Sequence, residues 1–386
     1  MNKNVCVVIT ARPSYSRIRS ALIELKKYSE INLQIVVAAS AVLDTYGNVV
    51  KQIEKDGFEI AGMVYNVVSG ENLSTSAKTT GLGIVELSTV FDNIKPDVVV
   101  TIADRFETMS TAITASYMNI PLIHIQGGEV TGNIDEKVRH AITKLADIHL
   151  VATEKAKERV IKMGENPESV FVTGCPSIDI AAEVKKDYDS LRFDPVKKYN
   201  GVGSLIENRE NYVVVMLHPV TTEIAQAKEQ TRCLLKVAEK IGRQIYWFWP
   251  NIDAGSDIVS KEIRIHRETN KKSNIYFFKN MSPQDFLVLL LGCECIVGNS
   301  SVAIRECSYL GVPAINIGDR QIGRERGSNV TDVPFEQEAI MKAYNKVAFS
   351  LRPQGDTLYG NGEAGKHIAQ IIASLDKIAI NKMLRY

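Results

Sequence analysis

The stretch HIQGGEVTGNIDEKVRHAITK, residues 124–144, places an amide and three acids, Gln126, Glu129, Asp135 and Glu136, just past an apolar run. Carboxylates held close to a core are costly unless a partner or a ligand uses them, so this cluster points to ligand binding or proton transfer. Asp135 and Glu136 also open a helix, where acids suit the helix dipole whatever else they do. Arg139, one turn later, can pair with them at i,i+3 or i,i+4. Asp104 and Arg105 follow the run DVVVTIA; a structural ion pair or a helix cap is the alternative there. His218, in MLHPVTTE, has the chemistry to hydrogen-bond a leaving phosphate or to donate a proton. In GNSSVAIRE, 298–306, a glycine, an asparagine and two serines precede a helix read over 301–310. That pattern suits phosphate, with Ser300 and Ser301 supplying donors and Glu306 accepting from ribose hydroxyls; plain N-capping by the serines is the competing reading. Neither a G-x-G-x-x-G turn nor a Walker loop is present, so nothing here points to NAD or to ATP hydrolysis. In WFWPNIDAGS, Trp247, Phe248 and Trp249 read as core, whereas Asn251 and Asp253 read as ligand candidates or caps.

These residues must be carried by something, and the apolar pattern says what. Continuous β-branched runs alternate with helical stretches twice over. Strands read at 5–10, 33–39, 59–65, 97–103, 121–126, 148–152 and 170–173, and again at 212–217, 244–249, 275–279, 295–298 and 313–317. Such runs indicate parallel strands buried on both faces. The fold class is therefore α/β, with two doubly wound Rossmann-like domains. The boundaries read as 1–182 for the first domain, 183–209 for a polar linker with a proline and glycines, and 210–361 for the second. A helix over 362–386 is expected to complete the first domain. In doubly wound sheets ligands bind beyond the carboxyl ends of the strands, and every polar cluster named above falls at such an end.

At 386 residues the chain suffices for two ordinary domains, and 46 basic against 45 acidic residues leave no global footprint for nucleic acid or a membrane. Cys6, Cys175, Cys233, Cys293, Cys295 and Cys307 lie scattered in apolar runs, without zinc spacing, and read as reduced core thiols. No metal and no cofactor is expected, and the compartment expected is the cytoplasm.

The segments TARPSYSR, DRFET, HIQGGEVTGNIDEKVRHAITKLA, GCPSID, HPVTTE, WPNIDAGS, GNSSVAIRE and GDRQIGRERGSNV occur in order from the first strand to about residue 330. Together they resemble the hydrolysing UDP-N-acetylglucosamine 2-epimerases, found in bacterial sialic-acid pathways and in the epimerase half of the bifunctional animal enzyme. The resemblance implies a GT-B-like fold with a UDP-sugar in the cleft between two domains. It also implies the reaction of UDP-N-acetylglucosamine with water to UDP and N-acetylmannosamine, and a homo-oligomer, dimer or tetramer. By the same resemblance Arg12 and Ser14 belong to a phosphate-facing first loop, and Asp104 and Arg105 match a catalytic Asp-Arg. Asp135 and Glu136 match an acid pair, either of which can be the acting member, and Asp179 matches an acid of the pattern. His218 matches the histidine near the diphosphate, and Asn251, Ser300, Ser301, Glu306 and Arg320 match nucleotide contacts. Some relatives carry glutamate where this chain has Gln126, which shifts the expected proton transfer to Asp104, Glu129 and the Asp135/Glu136 pair.

The chemistry explains why such groups are wanted. The hydrogen on C2 of the sugar becomes removable only as the C1–O bond to UDP breaks, so donors must stabilise the departing diphosphate while a carboxylate takes the proton. Hydration of the resulting glycal, with protonation on the other face of C2, gives the manno sugar. The same motifs fit a relative acting on a UDP-2,4-diacetamido-trideoxyglucose of legionaminic-acid synthesis. The competing readings are a GT-B UDP-sugar glycosyltransferase and a non-catalytic UDP-sugar sensor.

Overall fold

The structure, a computed structural model, describes residues 2–385 apart from 45–48, 71, 132–133, 221, 251–253, 272 and 377. The chain forms two units. One comprises Met1–Glu129, Ile134–Asp179 and Tyr359–Tyr386; the other comprises Val130–Asn133 and Ile180–Leu358.

The first unit is built on a parallel sheet of β1 (Lys3–Ile9), β2 (Ile31–Ala38), β3 (Ile60–Val64), β4 (Val98–Ile102), β5 (Leu122–Ile125), β6 (Ile148–Val151) and β7 (Val170–Val172). Its order is β3-β2-β1-β4-β5-β6-β7. Alternation along β1 shows why the strands read as unbroken apolar runs. Val5, Val7 and Ile9 enter one core cluster, while Cys6 and Val8 enter another on the opposite face. Each such burial contributes roughly 1.5–3 kcal/mol. The order reverses between β1 and β4, and this is the topological switch point of the unit.

The second unit repeats the plan with β8 (Gly201–Gly203), β9 (Tyr212–Met216), β10 (Gln244–Phe248), β11 (Ile275–Phe278), β12 (Cys295–Gly298), β13 (Ala314–Ile317) and β14 (Val330–Val333). The order is β14-β13-β12-β9-β10-β11-β8, with only β8 antiparallel. Its switch point lies between β9 and β12. Trp247 is fully buried on one face of β10 and Phe248 on the other.

Three readings of the sequence are corrected. The stretch 183–209 is no linker: helix Pro176–Lys186 runs into it, short helices follow at Tyr188–Leu191 and Pro195–Lys198, and β8 pairs with β11. Tyr188, Leu191, Phe193, Val196 and Tyr199 pack on the second unit's core, at irregular spacings that the intervening charges conceal. Its glycines are edge-strand residues, since a Cβ on Gly201 would sit 2.3 Å from Tyr276 Cε1 and one on Gly203 2.3 Å from Ile275 O. The C-terminal helix spans only Ala364–Ser374, not 362–386. Beyond it the chain is irregular and is anchored by Lys382, whose ammonium donates to the carbonyls of Thr143, Lys144 and Ala146. The helix read over 301–310 is a 3₁₀ turn, Ser301–Ala303, followed by a short α-helix, Glu306–Leu310. Asn329 Nδ2 donates to Ala303 O at 3.1 Å and competes for a carbonyl that a continuous helix would use. No helix among the described residues is long and apolar enough to cross a membrane.

Candidate active site

In the first unit the sequence candidates gather at the strand exits on and beside the switch point. Arg12 opens the helix Arg12–Ser16 after β1. Burial lowers its guanidinium to about 10, so it remains cationic at neutral pH. Ser14 is buried, its Oγ 3.5 Å from Thr10 Oγ1, which in turn lies 3.4 Å from Thr108 Oγ1. That hydroxyl chain ties the loop after β1 to the helix after β4. The β4 exit turns through Ala103 in the left-handed region, φ +63°. Asp104 follows, ion-paired to Arg139 and 3.9 Å from Arg17 Nη1. Arg105 Nε donates to Glu107 Oε1 at 2.8 Å. Glu107, 1% exposed, was missed as a candidate; the available signal was a second acid, two residues beyond Arg105 in DRFET.

The β5 exit turns in the same way, through Gln126 at φ +66°. Ala103 N donates to Ile125 O at 2.9 Å and Gln126 N to Leu150 O at 2.8 Å, which registers the three exits of β4, β5 and β6 side by side. The Gln126 side chain is buried; Nε2 donates to Cys175 Sγ, and Oε1 accepts no hydrogen bond among the described residues. Glu129 is buried, and its backbone carbonyl accepts from Arg139 Nη1 at 2.7 Å. Asp135 and Glu136 lie half-buried in the first turn of helix Ile134–Leu145, with Glu136 Oε1 3.4 Å from His140 Nε2. Arg139 was read as a partner for that acid pair. The structure joins it to Asp104, a contact between separate elements that spacing within one helix does not reveal.

Asp179 is a correction too. Its Oδ1 accepts from Ala364 N at 2.9 Å and its Oδ2 from Gly365 N at 2.7 Å, so both carboxylate oxygens cap the helix Ala364–Ser374. Burial raises its pKa even though these N–H groups and Ser20 pull the other way. Both oxygens are thus engaged in the cap.

In the second unit the candidates flank the switch point. His218 follows β9 and is buried. Asn299, which follows β12, accepts from His218 N at 2.8 Å through Oδ1 and donates to His218 O at 2.8 Å through Nδ2. The side chain thus acts as a one-residue extension of the sheet between the two exits. Asn299 O accepts from Arg320 Nη1 at 3.1 Å and from Gln321 Nε2 at 2.9 Å, which fixes the loop after β13 to the same point. The asparagine was visible in the GNSS motif, but its bracing role was not. Gly298, φ +146°, permits the approach, since a Cβ there would meet Met216 O at 1.9 Å. Ser300 caps the following 3₁₀ turn, as the competing reading had it. Ser301 Oγ accepts from Arg305 Nη2 at 2.9 Å. Glu306 is buried, its Oε2 3.9 Å from Arg305 Nε. Asn251 and Asp253 lie outside the described residues.

Two doubly wound units, each with ligand-type side chains at its switch point, define a GT-B-like α/β protein. A family model described as UDP-N-acetylglucosamine 2-epimerase matches residues 23–373, and the chain belongs to that family. It is 31% identical over 380 residues to the UDP-N,N'-diacetylbacillosamine 2-epimerase (hydrolyzing) of Legionella pneumophila, covering 97% of both chains. It is 34% identical over 349 residues to the polysialic acid biosynthesis protein P7 of Escherichia coli, covering 89% of this chain and 85% of that one. Among solved structures, the Methanocaldococcus jannaschii UDP-GlcNAc 2-epimerase in complex with UDP-GlcNAc and UDP superposes with a TM-score of 0.78 at 18% identity. That match covers 96% of this chain and 99% of the other.

Proposed function

We propose that the protein is a hydrolysing 2-epimerase: it takes a UDP-linked 2-acetamido sugar and water to UDP and the free sugar of inverted configuration at C2. The observation that carries this reading is a difference in chemistry between the two switch points. The first unit gathers carboxylates held by guanidinium groups, suited to moving a proton and stabilising charge near C1 and C2. The second gathers an imidazole, Asn299, two serines and Arg320, suited to a diphosphate.

In this mechanism the C1–O bond to UDP breaks and its electron pair leaves with the diphosphate, near His218, Ser301 and Arg320, with Arg12 adding positive charge. A carboxylate removes the C2 proton, and C1 and C2 become the double bond of a glycal. Water then adds at C1 and a proton returns to the opposite face of C2. Gln126 is an amide and cannot serve as the base, so the proton falls to an acid among Asp104, Glu129, Asp135 and Glu136, and Gln126 serves as a hydrogen-bonding contact. Asn251, Asp253 and Glu306 are proposed to contact the nucleotide. The sugar proposed first is N-acetylglucosamine, which would place the reaction in nonulosonic (sialic) acid synthesis in the cytoplasm, carried out by a homo-oligomer.

A second reading, a 2,4-diacetamido-trideoxy sugar as substrate, is favoured by the name of the Legionella relative. Incubation of the pure protein with each UDP-sugar, assaying UDP and free sugar, separates the two. In deuterium oxide the product should carry deuterium at C2, and in oxygen-18 water the released UDP should be unlabelled. Labelled UDP with hydrogen retained at C2 refutes the epimerase reading. Turnover only when a sugar acceptor is added would mark a glycosyltransferase instead.

A further inference from the structure

We propose that Arg139 is a positioning residue that sets two acids at once, Asp104 on the β4 exit and Glu129 on the β5 exit; this rests on the reading of those acids as the groups that act on the sugar. Its guanidinium pairs through Nη2 with the Asp104 carboxylate and donates through Nη1 to the Glu129 backbone carbonyl at 2.7 Å. The residue is 1% exposed, and it lies between Val138 and Ile142, whose side chains seat this helix face on the core. A charge so far from water is tolerated only when it is paired and hydrogen-bonded, and both partners lie where the chain leaves the sheet.

The planar fork of an arginine fixes the angle as well as the distance between its acceptors, which the point charge of a lysine cannot do. Arg17 Nη1, 3.9 Å from Asp104 Oδ1, supplies further positive charge beside the same carboxylate. The glycine turn that carries Glu129 is held at Gly128 O by Arg159 Nη1, at 3.2 Å, and at Glu129 O by the same guanidinium that pairs with Asp104. Misplacing an acting group by about 1 Å can cost about a hundredfold in rate.

The test uses the full-length chain, with Arg139→Lys as the main variant and Arg139→Gln as a second, because Arg139→Ala risks unfolding the unit. The expected result for Arg139→Lys is kcat lowered at least tenfold, with KM and the Kd for UDP within about threefold of wild type, the pattern of a lost transition-state interaction. In the Asp104→Asn background Arg139→Lys should cost clearly less than it costs in wild type, since the part of its effect that runs through Asp104 is already lost and the part that runs through Glu129 remains. A purely structural pair would lower the melting temperature and leave kcat per folded molecule unchanged. That result, or losses that multiply in the double variant, overturns the proposal while leaving the epimerase reading intact. A wild type that turns over none of the UDP-sugars overturns the functional reading and this one with it.

Discussion

Replacing Asn299 by alanine should damage both the stability of the second unit and its hold on UDP. The side chain is fully buried and makes two 2.8 Å hydrogen bonds to the backbone N–H and C=O of His218. Alanine leaves both groups of a buried strand exit without these partners, at about 1–3 kcal/mol each. With partial relief from water, a net loss of about 3 kcal/mol is expected. For a unit of this size that lowers the melting temperature by about 6–12 °C. Because the lost side chain is what fixes the backbone of His218, affinity for UDP should fall at least tenfold, about 1.4 kcal/mol. Scanning calorimetry and titration calorimetry with UDP measure the two effects. Asn316→Ala is the control. That asparagine is equally buried, on β13 of the same sheet, but its amide donates to Asp332 at 2.7 Å, away from the switch point. It should lower stability and spare UDP affinity. An Asn299→Ala protein that melts within about 2 °C of wild type and binds UDP unchanged would refute the idea that this side chain splices the two exits together.

Arg320→Ala should weaken UDP binding by about tenfold or more while changing the rate on saturating substrate little; unchanged affinity removes Arg320 from the diphosphate site. Asp179→Ala should destabilise the first unit by about 2–4 kcal/mol, through a lost helix cap and two buried N–H groups left without an acceptor, yet leave kcat per folded molecule near wild type. A folded variant without turnover would return Asp179 to the active site. Burial alone would raise the Glu165 pKa, but hydrogen bonds from His149, Lys144 and Lys382 outweigh it and hold the carboxylate at about 2. The folded pKa thus lies below the unfolded one, so the stability that its charge contributes is complete above about pH 4.5 and is lost as pH falls toward 2. Glu165→Gln should therefore melt well below wild type at pH 7, and the gap should close on acidification; a gap constant with pH contradicts this account.

The strand exits were legible because parallel strands buried on both faces leave an unmistakable apolar run, and the first polar residue after each run marks its carboxyl end. Arg12, Asp104, Gln126, His218, Ser300 and Arg320 were all found in this way. Contacts between exits were not legible. The Arg139–Asp104 pair joins a helix to a different strand, and the short-range rule pointed instead to the neighbouring acids. Asp179 illustrates the converse: an acid at a helix start looks the same in sequence whether it faces a ligand or caps a helix far along the chain. The stretch 183–209 was misjudged because polarity and glycine usually mean solvent, whereas here the glycines admit Tyr276 and the aromatic side chains supply the anchoring.

The route of the chain has a consequence for synthesis. The groove formed by Ile18, Ala21, Leu22 and Leu25 is filled by Ile368, Ala369 and Ile372, which belong to the same cluster. The cap on that last helix comes from Asp179, 186 residues before Gly365. As the chain leaves the ribosome, the first sheet can form early, but one face stays uncovered until the whole second unit has been made. The nascent protein therefore carries an apolar groove through nearly half of its translation, and its final turns of helix complete a core begun by its first twenty-five residues. A chain released between Leu358 and Ala364 has a second unit that is entire and a first that is still open.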